Sequence, residues 1–252
     1  MLIIENLTKI YENGFKALSN INLEIPEGQF VAIIGLSGSG KSTLLRCINR
    51  LIDPTEGRII WRGLDITSAT DDELRQIRRR IGMIFQQFNL VKRSSVITNV
   101  MSGRLGYINP LFSLVNYVPR VEHERALAAL ERVGIAEKAY QRASSLSGGQ
   151  QQRVGIARAL MQNPELMLAD EPVASLDPAT SHSVMKYLEL LNKEDGITIL
   201  CSLHFLSLAR AYADRVIALK DGRLEFDGPP EQIDNERFRQ IYGEDAVEVE
   251  IH

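Results

Sequence analysis

The most specific chemical signal in the sequence is the run Gly-Leu-Ser-Gly-Ser-Gly-Lys-Ser at residues 35–42. It matches the phosphate-loop pattern in full, between a continuously apolar segment and a segment with helical spacing. Glycines allow successive backbone N–H groups to point at one anion, and a helix start adds partial positive charge. We therefore expect Lys41 to reach the β- and γ-phosphates of a nucleotide and Ser42 to ligate Mg²⁺. The predicted phosphate-binding residues are Gly35, Leu36, Ser37, Gly38, Ser39, Gly40, Lys41 and Ser42.

A pair of carboxylates supplies the other half of a hydrolytic site. Asp170 and Glu171 directly follow the apolar run Leu166–Ala169, which is typical of a buried strand. Alone, two acids after a strand are more typical of a solvated turn. Beside a phosphate loop, Asp170 would lie near the metal ion, and Glu171 would polarise a water molecule for in-line attack on the γ-phosphate.

A third signal is the run Leu-Ser-Gly-Gly-Gln at residues 146–150. Ser147 and Gln150 fit a capping box, which predicts that a helix begins here and continues to Met161. The simpler interpretation is a well-capped helix. The alternative is a second anion site, because N–H groups and a hydroxyl gather at a helix N-terminus. Two phosphate-binding helix starts in one chain would suit a nucleotide held between two copies.

Strands and helices must position these signals. Loosely alternating apolar residues predict half-buried strands near a sheet edge, and continuous apolar runs predict strands covered on both faces. The alternating segments are Leu2–Ile10 and residues 18–25; the continuous ones are Phe30–Ile34, Leu166–Ala169 and residues 197–201. A helix-like segment follows each continuous run, beginning with residues 42–51. This order predicts a parallel sheet with crossover helices.

Strand signals disappear over residues 87–163, where helices are predicted at residues 121–133 and 147–161. This stretch is expected to be a helical insertion in the α/β core. Near the end of the chain, apolar residues 215–219 and 223–226 flank an Asp-Gly pair, which favours a β-hairpin turn.

Composition excludes several classes of protein. The chain has 252 residues, 44% of them hydrophobic and 24% charged, as in folded rather than disordered proteins. Its net charge of -3 gives no support for a general nucleic-acid binder. No apolar run approaches the roughly 18 residues of a membrane span, and the N-terminus lacks a signal-peptide pattern. Cys47 and Cys201 have no metal-ligand spacing, so we expect an intracellular, reducing environment.

With these motifs in this order, the chain resembles the ATP-binding subunits of ABC transporters over essentially its whole length. Residues 146–150 match that family's signature motif. The resemblance implies an α/β fold: a P-loop NTPase core of the RecA-like type, an antiparallel β subdomain and an inserted α-helical subdomain. It also implies a head-to-tail homodimer with two ATP molecules, each between the phosphate loop of one copy and the signature of the other. The implied signature contacts are Ser147, Gly148, Gly149 and Gln150.

The expected organisation is one ABC ATPase domain over residues 1–252. Residues 1–86 and 164–228 would form the nucleotide-binding core with the β subdomain. Residues 87–163 would form the helical subdomain, and residues 229–252 the C-terminal tail.

The resemblance implies roles for residues outside the two phosphate-binding motifs. Tyr11 resembles the aromatic residue that stacks on adenine, although a strand-end tyrosine can simply pack. Gln86, with Gln87 as an alternative, resembles the glutamine that links Mg²⁺ or water to the membrane subunit. Asp177 resembles the family's cross-dimer aspartate, and its place before a proline predicts a helix cap. His204 resembles the γ-phosphate sensor, although a lone histidine is more often structural.

A closer resemblance lies in the switch region and the tail. Residues 170–178, 212–215, 226–228 and 234–238 resemble those of the phosphonate-importer ATPases, and phosphite importers are not separable from these. One position departs from the pattern. Phe205 follows His204 where many members carry an acid and the phosphonate group often a glutamine, so no side-chain hydrogen bond is expected from position 205.

Residues 104–119 are rich in large apolar and aromatic side chains, with Arg104 as the only charge. Such a segment suits a partner surface. In the family, a coupling helix of the transmembrane subunit docks near Gln86 and the helical subdomain. The alternative, that the segment completes the core of that subdomain, stays open.

The function expected from these observations is ATP hydrolysis that drives import of phosphonate or a related phosphorus oxyanion, with ATP and Mg²⁺ bound. Two transmembrane permease subunits would hold the homodimer at the cytoplasmic face of the membrane, and a binding protein would act indirectly. The alternatives are an importer ATPase for another small solute, a soluble ABC ATPase acting on ribosomes or DNA, and a regulatory nucleotide-binding module without turnover. No nucleic-acid partner is expected.

Overall fold

A computed structural model describes residues 1–107 and 119–244. Its strands are β1 (Leu2–Ile10), β2 (Lys16–Ile25), β3 (Phe30–Ile34), β4 (Glu56–Trp61), β5 (Leu64–Asp65), β6 (Ile81–Ile84), β7 (Leu166–Ala169), β8 (Thr198–Ser202), β9 (Arg215–Lys220) and β10 (Arg223–Gly228). Its α-helices are α1 (Lys41–Ile48), α2 (Asp71–Arg79), α3 (Val96–Met101), α4 (Arg120–Arg132), α5 (Gly148–Leu160), α6 (Pro178–Asp195), α7 (Leu206–Tyr212) and α8 (Asn235–Tyr242).

The larger sheet has the strand order β10-β9-β3-β8-β7-β6. Strands β9, β3, β8, β7 and β6 are parallel, as crossover helices require, and β10 closes the edge antiparallel to β9. Every residue of β3, β7 and β8 is buried, which confirms the fully covered strands predicted from their continuous apolar runs. The predicted hairpin is confirmed in β9 and β10.

The smaller sheet is antiparallel, with the order β2-β1-β4-β5. The prediction that the two alternating segments form strands near a sheet edge is confirmed, because β2 is the outer strand and β1 lies next to it, between β2 and β4. The elements that were not predicted from the sequence are β4, β5, α2, β6, α3 and α8. Strand β4 alternates poorly, and α2 is so rich in charge that only Leu74 and Ile77 are buried. Neither element therefore shows a clear apolar period.

The larger sheet separates two apolar cores. Alternate residues of β3 enter opposite cores: Phe30, Ala32 and Ile34 pack on one side, and Val31 and Ile33 on the other. The first core is built with α3 to α8. The second is built with α1, α2 and the antiparallel sheet. The parallel sheet is therefore packed on both faces. The loops at the ends of its strands remain available to form a site.

In the described part of residues 87–163, helices dominate and the strand content is a single bridge between Ser95 and Arg142. The two predicted helices are confirmed as α4 and α5. Most of the surface predicted at residues 104–119 lies outside the described residues. Its first residues belong to a 3-10 helix, Ser102–Tyr107, in which the Arg104 guanidinium lies 3.7 Å from the Tyr107 ring centroid.

Among the described residues, no helix combines the length and the apolar character that crossing a membrane requires.

Cys47 and Cys201 are both buried and free. Burial raises the pKa of the Cys47 thiol to about 12, so it stays protonated near neutral pH.

Candidate nucleotide-binding site

The carboxyl ends of the parallel strands gather most of the predicted site residues at one edge of the sheet. The phosphate loop follows β3, Asp170 and Glu171 follow β7, and His204 follows β8. The register pairs Ile84 at the end of β6 with Ala169 at the end of β7. Loops at the carboxyl edge of a parallel sheet are the usual place for ligands in α/β proteins.

The loop at residues 35–42 needs glycine where it bends. Gly35 has φ 138° and Gly40 has φ 106°, both in the region that favours glycine. A Cβ atom on Gly40 would lie 2.6 Å from the carbonyl oxygen of Ala17, and one on Gly35 would overlap that of Leu219. The loop therefore packs tightly against β2 and β9 before helix α1 begins at Lys41.

Two features of this loop fit a phosphate ligand. Among the described residues, the buried hydroxyl of Ser39 has no hydrogen-bond partner, which is unusual for a buried polar atom. The Lys41 amine donates to the carbonyl oxygens of Gly35 and Leu36, at 2.9 and 3.1 Å, so it folds over the loop. Burial lowers the pKa of Lys41 below its ordinary value, and the carboxylates of Glu171 and Asp170 oppose that shift.

Asp170 is the most buried acid of the site. Its Oδ1 accepts hydrogen bonds from the hydroxyls of Ser42, at 2.6 Å, and Ser202, at 3.3 Å. Its Oδ2 accepts one from the Arg46 guanidinium at 3.1 Å. A hard divalent cation prefers oxygen ligands such as those that Ser42 and Asp170 place side by side. The described residues contain no group of three His, Cys, Asp or Glu side chains suited to a metal, so phosphate and water oxygens would have to complete the coordination.

Glu171 occupies a strained backbone position beside this pair. Its φ is 49°, an uncommon value for a residue other than glycine, and its N–H donates to the Ser202 hydroxyl at 2.8 Å. Its Oε1 lies 2.8 Å from His204 Nε2 and 3.9 Å from the Lys41 amine. We call Lys41, Ser42, Asp170, Glu171 and His204 the phosphate-loop cluster.

Two residues that contact the phosphate-loop cluster, Ser202 and Arg46, were not predicted from the sequence. Ser202 bridges the cluster, since it accepts from the Glu171 N–H and donates to Asp170. Ser202 is the last residue of β8. It directly follows the predicted strand at residues 197–201, as Asp170 follows Leu166–Ala169, and that position could have identified it. Arg46 lies one helical turn after Ser42, and that spacing places both side chains on the same face of α1.

Residues 147–150, which we call the signature start, form a separate helix N-terminus. The predicted capping box is confirmed: Ser147 Oγ accepts from the Gln150 N–H at 3.4 Å, and Gln150 Oε1 accepts from the Ser147 N–H at 3.0 Å. Gly149 packs so closely on Thr180 of α6 that a Cβ atom there would overlap its methyl group.

The start of α6 adjoins the signature start. Asp177 caps α6, as predicted, by accepting from the Thr180 N–H at 3.0 Å. Within the described ranges, no hydrogen bond or ion pair joins the signature start or Asp177 to the phosphate-loop cluster. The two predicted phosphate-binding regions are therefore separate in a single chain.

Tyr11 and Gln86 are predicted site residues that do not belong to the phosphate-loop cluster. The Tyr11 hydroxyl lies 3.2 Å from the Thr43 hydroxyl, so the ring is next to helix α1, and the exposed Phe15 ring is 6.5 Å away. Gln86 is exposed, two residues after β6. Its side chain makes no hydrogen bond to other residues in the described part of the chain.

Comparisons with known proteins agree with this geometry. Residues 18–174 match the family described as ABC transporter. The "Phosphonates import ATP-binding protein PhnC" of Shouchella clausii is 57% identical over 251 residues, covering 100% of this chain and 94% of that protein. The protein of the same name from Bdellovibrio bacteriovorus is 57% identical over 250 residues, covering 99% and 96%.

Solved structures extend the similarity. The dimeric, post-hydrolysis structure of the ATP-binding cassette MJ0796 bound to ADP and Pi is 41% identical, with a TM-score of 0.81 over 91% of this chain and 99% of that one. The ADP conformation of the cassette MJ1267 is 31% identical, with a TM-score of 0.83 over 96% of both chains. These similarities confirm the fold class expected from the sequence.

Proposed function

Because the chain belongs to the ABC transporter family, we propose that it is the ATP-hydrolysing subunit of an importer for phosphonates or a related phosphorus oxyanion. The observation that carries the ATPase assignment is the phosphate-loop cluster. The buried Lys41 amine and His204 both lie within ion-pair distance of Glu171, Ser42 bonds to Asp170, and Ser202 joins the two sets. The two relatives from Shouchella clausii and Bdellovibrio bacteriovorus, named for phosphonate import, support the substrate class.

ATP would bind with its phosphates in the loop at residues 35–42. Backbone N–H groups, the Ser39 hydroxyl and the Lys41 amine would face the phosphate oxygens. Lys41 would exchange the carbonyl oxygens of Gly35 and Leu36 for the more strongly charged phosphates. Tyr11 would stack on the adenine, next to Thr43.

Ser42 and Asp170 are the residues proposed to hold Mg²⁺, with Gln86 completing the set after closure. When bound, the ion would neutralise charge on the β- and γ-phosphate oxygens. Asp170 is already oriented for this by the hydroxyls of Ser42 and Ser202.

Glu171 would act as the general base. Its carboxylate would accept a proton from the water that attacks the γ-phosphate, and His204, 2.8 Å from Oε1, would hold it in place. Glu171 combines a strained φ with a carboxylate that lies within ion-pair distance of His204 and Lys41. His204 would then also contact the γ-phosphate.

A second copy would supply the signature start. Ser147 is exposed, and its helix N-terminus presents N–H groups without any link to the chain's own phosphate-loop cluster. We therefore propose a head-to-tail homodimer in which Ser147, Gly148, Gly149, Gln150 and Asp177 face the nucleotide of the other copy. The MJ0796 cassette, which is dimeric with ADP and Pi bound, supports the association of two copies.

Coupling to transport would use exposed residues at the same sheet edge. Gln86 follows β6 and would relay the state of the nucleotide to two transmembrane permease subunits, which would hold this chain at the cytoplasmic face of the membrane. A substrate-binding protein would deliver the oxyanion. The organisation proposed remains a core at residues 1–86 and 164–228, a helical subdomain at 87–163 and a tail at 229–252.

The test is purification of the tagged chain from detergent-solubilised native membranes, followed by mass spectrometry of the associated proteins. Two multispanning proteins should copurify in near-stoichiometric amounts. Deletion of the gene should abolish uptake of a radiolabelled alkylphosphonate and leave inorganic phosphate uptake unchanged. Ribosomal proteins in place of membrane proteins would refute the transporter assignment, and intact phosphonate uptake would refute only the substrate.

A further inference from the structure

We propose that Arg46 is the counter-ion that neutralises Asp170 while the phosphate loop holds no nucleotide, and that it gives up this contact when a divalent cation binds with ATP. The inference rests on the proposed function, because it takes Asp170 as a metal ligand. Arg46 would then set the cation affinity of the site.

Burial of the Asp170 carboxylate carries a free-energy cost. Its side chain is only 2% exposed, and a buried carboxylate is unfavourable unless a cation or several hydrogen bonds compensate it. Lys41 does not form an ion pair with it; that amine is bonded to two loop carbonyls and lies 3.9 Å from Glu171. Among the described residues, the cation in ion-pair contact with Asp170 is Arg46.

Arg46 is not needed to orient the carboxylate. Oδ1 already accepts from Ser42 and Ser202, and the Asp170 N–H donates to the Ile84 carbonyl oxygen at 2.9 Å. Three contacts from three elements thus define the position of Asp170. Arg46 contributes mainly charge.

Breaking the contact between Arg46 and Asp170 should cost little free energy. The Arg46 side chain is 43% exposed, and a single guanidinium nitrogen contacts Asp170, at 3.1 Å, in place of the stronger two-nitrogen arrangement. On leaving, the guanidinium returns to water. A divalent cation near Asp170 would also repel it, since like charges a few ångströms apart interact unfavourably.

The experiment compares Arg46→Met with wild type by Mn²⁺ titration monitored by electron paramagnetic resonance, in the presence of a non-hydrolysable ATP analogue. Removing the competing charge should tighten Mn²⁺ binding about tenfold, the lower end for a hydrogen bond to a charged group because Arg46 is partly exposed. Without ligand, Arg46→Met should melt about 2 °C or more below wild type, because Asp170 has lost its partner. Saturating Mn²⁺ and analogue should remove that difference.

Three further variants keep the result interpretable. Arg46→Lys retains the charge and should stay within about threefold of the wild-type Mn²⁺ affinity. If Arg46→Met is poorly folded, Arg46→Gln removes the charge with a polar side chain and should show the same tightening. Arg75→Met makes the same charge change on the exposed face of α2 and should leave both readouts unchanged.

Three results would overturn the inference. Weaker Mn²⁺ binding in Arg46→Met would mean that Arg46 supports the metal-loaded carboxylate, as outer-shell partners commonly do. Equal affinity in Arg46→Met and wild type would mean that it does not act on the metal at all. Absence of analogue-dependent Mn²⁺ binding in wild type would refute the proposed metal site itself, and this inference with it.

Discussion

The phosphate-loop cluster and the signature start are both helix N-termini, yet they are built in opposite ways. Ser202 links members of the cluster, since the Ser42 hydroxyl, the Asp170 carboxylate, the Ser202 hydroxyl and the Glu171 backbone N–H form a continuous chain of hydrogen bonds across α1 and the ends of β7 and β8. In the signature start, Ser147 and Gln150 satisfy each other within one turn.

This difference suggests how the two regions divide the work. The cluster is preorganised by three elements within one chain, and in preorganised sites the loss of one group is costly. The signature start is a stable cap that needs no other element, and its surface is exposed. A nucleotide bound in the phosphate loop would therefore be the feature that links it to a second copy.

The largest effect is expected from Glu171→Gln. The amide cannot accept the proton of the attacking water, so ATP turnover should fall at least about 100-fold, the lower end for a general base. ATP binding should persist because Lys41 and the loop are unchanged, and the variant should accumulate as a dimer. Phosphate release and light scattering measure the two quantities.

Glu225→Gln is the matched control, since it makes the same chemical change on an exposed strand residue of β10. It should keep wild-type turnover and dimerisation. Unchanged turnover in Glu171→Gln would remove Glu171 from the role of general base and would leave that role to another group.

A smaller effect is expected from Ser147→Arg. The bulky cation would block the face of the signature start, so ATP-dependent dimerisation should be lost and turnover should fall at least about tenfold, equivalent to ~1.4 kcal/mol. ATP binding to the single chain should stay within about threefold of wild type, because that chain's phosphate-loop cluster has no link to Ser147. Equilibrium dialysis and sedimentation separate these two readouts.

Ser68→Arg, at a position that is also exposed, provides the control and should change neither quantity. If Ser147→Arg weakened ATP binding to the single chain as strongly as it weakened dimerisation, the two regions would be coupled within one copy. The head-to-tail arrangement would then lose its main support.

The contrast between the two regions also explains what could be predicted from the sequence. Both helix starts are local patterns: residues 35–42 and the capping pair of Ser147 and Gln150 are contiguous, so spacing alone indicates them. Asp170 and Glu171 are visible because they end a continuous apolar strand. Each of these signals lies within a few neighbouring residues.

The connections between elements were not predictable in this way. Ser202 and Arg46 act on Asp170 from β8 and α1, at sequence separations of 32 and 124 residues. Their positions depend on the order of strands in the sheet, which a single sequence does not encode locally. Strand β4, which pairs with β1, was not predicted because it lacks a clear apolar period.

A modest loss of ATP affinity is expected when the Tyr11 ring is removed. This change concerns the phosphate-loop region alone. Tyr11→Ala should weaken ATP binding about tenfold, within the range measured for base stacking on aromatic residues. Tyr11→Phe keeps the ring and loses only the hydroxyl contact with Thr43, so its affinity should stay close to wild type. Equal losses in both variants would show that the hydroxyl, rather than the ring, matters.

The smallest effect is a pH dependence confined to the phosphate loop. Burial lowers the pKa of Lys41, so as pH rises above that lowered value the free protein loses the charge that attracts phosphate. ATP affinity should therefore fall on the alkaline side, by less than about tenfold per pH unit, the limit for one proton. Lys41→Arg stays protonated and should show no such fall, whereas Ser147→Arg should retain the wild-type profile. An alkaline loss that persisted in Lys41→Arg would assign the titration to another group and would remove this distinction between the two helix starts.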